Sequence, residues 1–402
     1  MGCQWLVVDE FFSDRIIRTG RLLVAWRGSG GTNMTVASHA HLWQTLSDNG
    51  LVTGEVPEVI QDDDVPWYIR LMLGVAGWIG AIFLLGALFS GLLVFVDSVA
   101  AVGLLGVGIC LVSVIIYRSA YQNDFTRQFA FALSLAGQGL LVYSALDGFD
   151  LLWESDDWLA QFRWLAVVLA TVQCVLFLII PNYLHRMWSA LVGMGAVVFL
   201  CNQYGLYSLV LVALPAGACW LWLQEFRWVK HGEMLRTLGY SMVIVSLLHL
   251  VAQSHFWSDS FLWLRTLDTP ALGGTSGELL ASCSLGLVLL ALLLTLLKRD
   301  AIAVGSGIGV AALILAALVA GIGVYEPGIT VGLMVVLLGF SSGNTILTGL
   351  GLVASVVFIS QFYYLLDLSL LQKSVMLLFS GLALLVVRQV LRYYRAKGAA
   401  HA

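Results

Sequence analysis

The sequence predicts an all-α fold, a polytopic transmembrane helical bundle of about 12 spans with both termini cytoplasmic. Three observations predict it. Apolar stretches, each long enough to cross a hydrocarbon core, follow one another from residue 70 to residue 391, and none has a charge at its centre. Hydrophobic residues make up 60% of the 402 and charged residues 11%, with a mean hydropathy of +0.91, whereas a soluble domain is about 45–50% apolar and about 25% charged. Basic residues also alternate between the connecting loops. The ends assigned to the cytoplasm carry Arg70, Arg118, Arg127, Arg186, Arg227, Lys230, Arg236, Lys298, Arg299, Arg388, Arg392, Arg395 and Lys397. The opposite ends carry Arg163, Arg265 and Lys373. An excess of Lys and Arg marks the cytoplasmic side.

The expected spans are 70–95, 99–117, 128–146, 162–181, 184–203, 205–223, 234–253, 278–297, 301–321, 327–342, 345–364 and 372–391. The domain organisation then reads as an atypical extension over 1–33, a cytoplasmic helical hairpin over 34–67, the transmembrane bundle over 68–392 and a basic cytoplasmic tail over 393–402. In the first stretch Asp9, Glu10 and Asp14 interrupt any apolar region, which excludes a signal peptide. Met1-Gly2-Cys3 lacks the Ser or Thr that acylation wants, since Leu6 holds that place. Translation is expected to begin at Met34, the alternative being a basic interfacial helix. In the hairpin, Ser38 caps a helix with Leu42, Trp43 and Leu46 on its apolar face, and Asn49-Gly50 stops it. No Lys or Arg lies between Thr35 and Tyr68, so this hairpin cannot neutralise phosphates and nucleic acid is excluded as a partner. The three acids Asp62, Asp63 and Asp64 read as a solvated turn, the alternative being a metal site.

Five of the six cysteines (Cys110, Cys174, Cys201, Cys219 and Cys283, but not Cys3) fall in spans, with no CxxC pair and no metal-ligand spacing. No disulfide, metal or cofactor is expected. Glycines sit inside apolar helices, as in Gly103 to Gly108 and Gly305 to Gly309. Small residues at this spacing let helix backbones approach in lipid.

Two expected outer loops, 147–161 and 254–277, are acidic and rich in tryptophan. Asp147, Asp150, Trp153, Asp156 and Trp158 in the first, with Trp257, Asp259 and Trp263 in the second, form either an aromatic belt at headgroup depth or a surface for an outer partner. Their placement after spans three and seven leaves open a four-span internal repeat. Polar residues inside the spans are the other leads. Gln138 and Gln173 fall near the midplane of neighbouring antiparallel helices and are placed to share a hydrogen bond. His249, Gln253 and Gln361 lie toward the outer end, where Glu278 and Asp367 could join them, and Lys373 could pair with Asp367 across the last outer loop. These residues are either glue between helices or the lining of a polar pocket.

The segment Tyr363-Tyr364-Leu365 through Lys373-Ser374, with Gly381 in the apolar run after it, resembles the carboxy-terminal signature of the bacterial membrane family DUF4401. Trp67-Tyr68 through Gly77-Trp78 and the run Gln128 to Gln138 resemble the same family, and the amino-terminal hairpin resembles the start of DUF2157 proteins. The resemblance covers about residues 38–395. It implies a multi-pass protein of a bacterial inner membrane, paired with a membrane-anchored protein carrying a GDYxxLxY motif. It implies no activity and assigns no catalytic residue.

Three functions fit: a membrane subunit or scaffold working with that partner and the bilayer, a secondary transporter of a small solute or lipid, and an intramembrane enzyme acting on lipid. The sequence favours the first, because no buried carboxylate is in view for proton coupling, and only Pro181, Pro215 and Pro327 interrupt the spans.

Overall fold

The computed structural model describes residues 67–92, 98–119, 124–153, 158–224, 231–253 and 274–365, with isolated positions elsewhere. These residues form eleven helices and no strand. They are α1 (Trp67–Leu92), α2 (Val99–Arg118), α3 (Asp124–Trp153), α4 (Trp158–Ile179), α5 (Tyr183–Gln203), α6 (Tyr207–Leu223), α7 (Gly232–Gln253), α8 (Gly274–Arg299), α9 (Gly307–Ile322), α10 (Pro327–Ser341) and α11 (Thr345–Leu365). Each matches one of the first eleven expected spans. The twelfth, 372–391, lies almost wholly outside the described residues, as do the hairpin over 34–67 and the tail over 393–402.

Seven of the helices are long and apolar enough to cross a membrane, and four further apolar stretches are shorter. The faces they leave uncovered show the same solvent. Along α2 the residues Val102, Gly106, Ile109, Cys110, Ser113 and Tyr117 are buried, while Leu104, Val107, Leu111, Val112 and Ile115 are exposed. Both faces are apolar. A helix lying between protein and water would carry charges on the second; one lying between protein and lipid does not, because every backbone polar group is already paired along its own axis.

The chain divides into two compact units. The first comprises Met1–Gly193 and Leu223–Leu238, the second Met194–Trp222 and Gly239–Ala402. In the first unit α3 packs against α1, α2 and α4. Two apolar clusters hold it: Tyr117, Ala130, Phe131, Leu176 and Ile180 in one, Val102, Ile109, Leu133 and Leu140 in the other. Close approach of α2 and α3 rests on glycine. A Cβ on Gly106 would stand 2.9 Å from the Gly137 carbonyl, and one on Gly137 2.8 Å from the Gly106 carbonyl. In the second unit α8 packs on α9 and α10, and α10 pairs with α11 as an antiparallel hairpin.

Local signals start and stop these helices. Ser98 caps α2 through the Ala101 N–H, and Ser306 caps α9 through the Gly309 N–H. Asn182 Oδ1 accepts from His185 N at the start of α5. The turn from α10 to α11 places Gly343 at φ 66°, which favours glycine, and Asn344 then caps α11 through the Leu347 N–H at 3.0 Å.

Some boundaries differ from expectation: α8 begins at Gly274 rather than 278, α9 at Gly307 rather than 301, and the first outer loop is shorter. The first outer loop was expected over 147–161, yet α3 continues to Trp153 and α4 begins at Trp158, so Asp147, Asp150 and Trp153 are helical. Packing accounts for the extension. Phe149 is buried, Ser144 Oγ donates to the Val99 carbonyl at 3.0 Å, and Gln161 Nε2 donates to the Leu146 carbonyl at 3.3 Å. These contacts outweigh the acidic composition that suggested a loop.

Candidate functional site

The first unit encloses a chain of hydrogen bonds, and one group sets the directions around Gln138. Trp188 Nε1 can only donate, and it faces Gln138 at 3.4 Å. The facing atom is therefore the Gln138 carbonyl Oε1, which also accepts from Gln173 Nε2 at 2.8 Å. The Gln138 amide nitrogen is then directed at Ser134 Oγ, 3.1 Å away. Ser134 accepts that bond, and its Oγ also lies 2.8 Å from His185 Nε2. His185 Nδ1 lies 3.2 Å from Ser189 Oγ, so the imidazole donates to one hydroxyl and accepts from the other, in the sense its tautomer sets. Donors run from Gln173 through Gln138 to Ser134, and the contacts continue through His185 to Ser189. The edges of Tyr117 and Phe131 close around the imidazole at centroid distances of 5.7 and 5.8 Å.

Ser134 and His185 have the spacing of a nucleophile and its base. Two features argue for a brace instead. Both side chains are fully buried, so no scissile carbonyl reaches Ser134 Oγ. The group that orients the imidazole is a neutral hydroxyl, which gives an imidazolium no stabilising charge. The chain is uncharged and almost fully paired. Its one orphan is Gln173 Oε1, buried without a hydrogen-bond partner among the described residues.

The second unit holds polar groups that are less completely paired. Asn202 and His249 meet at 3.4 Å through Nδ2 and Nδ1, beside the Tyr207 ring at 5.3 Å from the imidazole. Asn202 Oδ1 and His249 Nε2 are buried and lack partners among the described residues. Whichever way the amide and the tautomer are set, one donor and one acceptor remain. Gln361 on α11 is 3% exposed, and neither atom of its amide has a partner among the described residues.

Glu326, in the turn between α9 and α10, is 8% exposed. The sequence suggested no buried carboxylate; the structure corrects this. The signal was weak because Glu326 sits at a helix start, just before Pro327, rather than inside an apolar run. Burial pushes its carboxyl above the ordinary glutamate value, with the Gly328 N–H opposing the shift. A carboxyl raised by folding contributes stability that is present below the unfolded value of about 4.3 and lost as pH climbs through the folded one. Glu326→Gln is therefore expected to melt above the wild type at pH 8 and to match it at pH 4 in detergent. A pH-independent difference in melting temperature would contradict this.

The expected site residues are divided by the structure. Gln138 and Gln173 come together; His249 meets Asn202, which the sequence did not single out. Gln253 is partly buried near the end of α7, and Glu278 lies in the first turns of α8. Asp367, Lys373, Asp156, Trp257, Asp259 and Trp263 lie outside the described residues. Trp158 is exposed and meets Phe162 edge-on at 6.1 Å. His185, Ser134, Ser189 and Trp188 were missed. His185 and Ser189 share a face of α5 four residues apart, a pattern visible only once α5 is known to start at Tyr183.

A family model described as domain of unknown function (DUF4401) matches residues 66–394. No curated protein and no solved structure matches the chain.

Proposed function

Because the chain belongs to the DUF4401 family, whose description assigns no activity, we propose a function from its buried polar groups: a multi-pass membrane carrier of a small, uncharged polar solute. The observation that carries it is the Asn202–His249 pair. Buried polar atoms inside apolar helices are ordinarily paired, and an unpaired amide or imidazole nitrogen in such surroundings costs about 1–3 kcal/mol. One leftover donor beside one leftover acceptor, next to an aromatic ring, suits a hydroxyl or amide group of a solute. The short helices α6, α9 and α10 and Pro215 inside α6 also suit carriers, which bind where helices are interrupted. The proposal includes about 12 spans, cytoplasmic termini and a bacterial inner membrane, as the basic residues and the family's resemblance imply.

The test is purification in mild detergent followed by mass spectrometry of released small molecules. The wild type is expected to release a polar solute that His249→Leu and Asn202→Leu have lost. Equal recovery from all three proteins would refute the assignment.

A second reading keeps the scaffold role with a membrane-anchored partner carrying a GDYxxLxY motif. Exposed Trp158 and Phe162 at the start of α4 favour it, since an amphipathic aromatic pair at headgroup depth can dock a neighbouring chain. The DUF2157-like hairpin over 34–67 would be its cytoplasmic docking element. A stoichiometric partner in the same purification, lost on Trp158→Ala, would support this reading.

A further inference from the structure

The α10–α11 hairpin has a readable register. Gly328 faces Phe358, Gly332 faces Ser355, and Gly339 faces Thr348, so each step along α10 is matched by a step back along α11. Carried to the start of α10, this register sets Glu326 level with Gln361. Gln361 continues the buried stripe of Leu347, Ala354 and Phe358 on α11, and its amide is unpartnered among the described residues. No cation among the described residues pairs with Glu326. A buried carboxylate that has the Gly328 N–H but no cation and a buried, unused amide therefore stand at the same level.

We propose that Glu326 and Gln361 bind a primary ammonium group with a hydrogen-bond acceptor beside it, the chemistry of an ethanolamine moiety. The ammonium offers three N–H donors, to the Glu326 carboxylate and to Gln361 Oε1; the neighbouring oxygen accepts from Gln361 Nε2. The positive charge offsets the desolvation of the carboxylate, which has no other counter-ion there. A quaternary ammonium lacks the N–H that Gln361 Oε1 needs. A divalent metal would want six or more oxygens, and among the described residues no three His, Cys, Asp or Glu side chains gather.

The position fits a lipid headgroup as well as a free amine. Glu326 lies in the short connection Gly323–Glu326 between two apolar helices, where spans end. Tyr325 beside it is 84% exposed, an aromatic residue placed as interfacial anchors are. The inference does not depend on transport.

The experiment uses the full chain in nanodiscs of phosphatidylethanolamine or phosphatidylcholine, each with the same share of phosphatidylglycerol, and reads thermal unfolding at pH 7.5. The wild type is expected to melt at least about 3 °C higher with phosphatidylethanolamine. If the source is instead a free amine, added ethanolamine will raise the melting temperature in phosphatidylcholine discs and choline will not. Either shift should vanish in Glu326→Gln and shrink in Gln361→Met, while both variants melt in phosphatidylcholine discs without additive as cooperatively as the wild type. No shift with either source overturns the proposal. So does a shift that survives both substitutions, and Gln361→Met alone decides the matter if Glu326→Gln does not assemble.

Discussion

Gln138→Leu is expected to destabilise the protein by about 2–4 kcal/mol, whereas Gln173→Leu, on the other side of the same hydrogen bond, should cost under about 1 kcal/mol. The asymmetry follows from the connectivity. Gln138 is the hub: its carbonyl accepts from Gln173 and Trp188, and its amide donates to Ser134. Leucine there orphans the Gln173 amide and the Trp188 indole, and it frees Ser134 to rotate away from His185. The buried Gln173 amide left unpaired costs about 1–3 kcal/mol, and the partly exposed Trp188 indole costs less. Gln173, by contrast, contributes one bond and already holds an unpaired Oε1. Leucine at 173 removes that orphan together with the bond, and Gln138 Oε1 keeps Trp188. The double variant should be less damaging than the sum of the two, because the second substitution deletes a donor that the first had stranded. Unfolding titrations in mixed micelles would measure all three. Equal losses for the two single variants would show that the bond directions deduced from Trp188 are wrong.

That polar chain also marks how far the sequence could be read. Helices were legible because in lipid each span must satisfy its backbone along its own axis, so length and apolarity alone locate them; α5, expected over 184–203, runs Tyr183–Gln203. The Gln138–Gln173 contact was legible because both amides lie at mid-span on consecutive helices. His185 was not. It follows Pro181 and Asn182 near a helix start, where a histidine reads as a solvated end residue, and only the packing of α2 and α3 over α5 buries it. Glu326 was obscured for the same reason. It stands in the turn just before Pro327 at the start of α10, where a carboxylate reads as a solvated end residue, yet it is buried. The lipid-facing leucines of α2 could not be told from its buried ones by hydropathy, since both faces are apolar.

Glycine patterning was legible as packing, yet which glycines matter is set by register, and here the expected effect is large. Gly339→Ala should destabilise the α10–α11 hairpin by about 1–3 kcal/mol and Gly339→Val by more, while Gly349→Ala should be neutral or stabilise by up to about 1 kcal/mol. A Cβ on Gly339 would meet the backbone nitrogen, Oγ1 and Cα of Thr348 inside van der Waals distance. The backbone there cannot yield. Asn344 and Thr348 form the first turn of α11, held by the Leu347 N–H on Asn344 Oδ1 and by Thr348 Oγ1 on the Asn344 carbonyl, and Asn344 N itself bonds to the Gly339 carbonyl at 2.8 Å. Nothing stands within 4 Å of a Cβ on Gly349, so alanine there adds only helix preference. Because the same register carries Glu326 to Gln361, splaying the hairpin at Gly339 should also reduce the ethanolamine-dependent shift in melting temperature, although Gly339 touches neither residue. Titration of both variants in mixed micelles, with the nanodisc melts repeated on Gly339→Ala, tests the two consequences together. A variant that loses stability yet keeps the full shift would separate the hairpin's packing from the site at its far end.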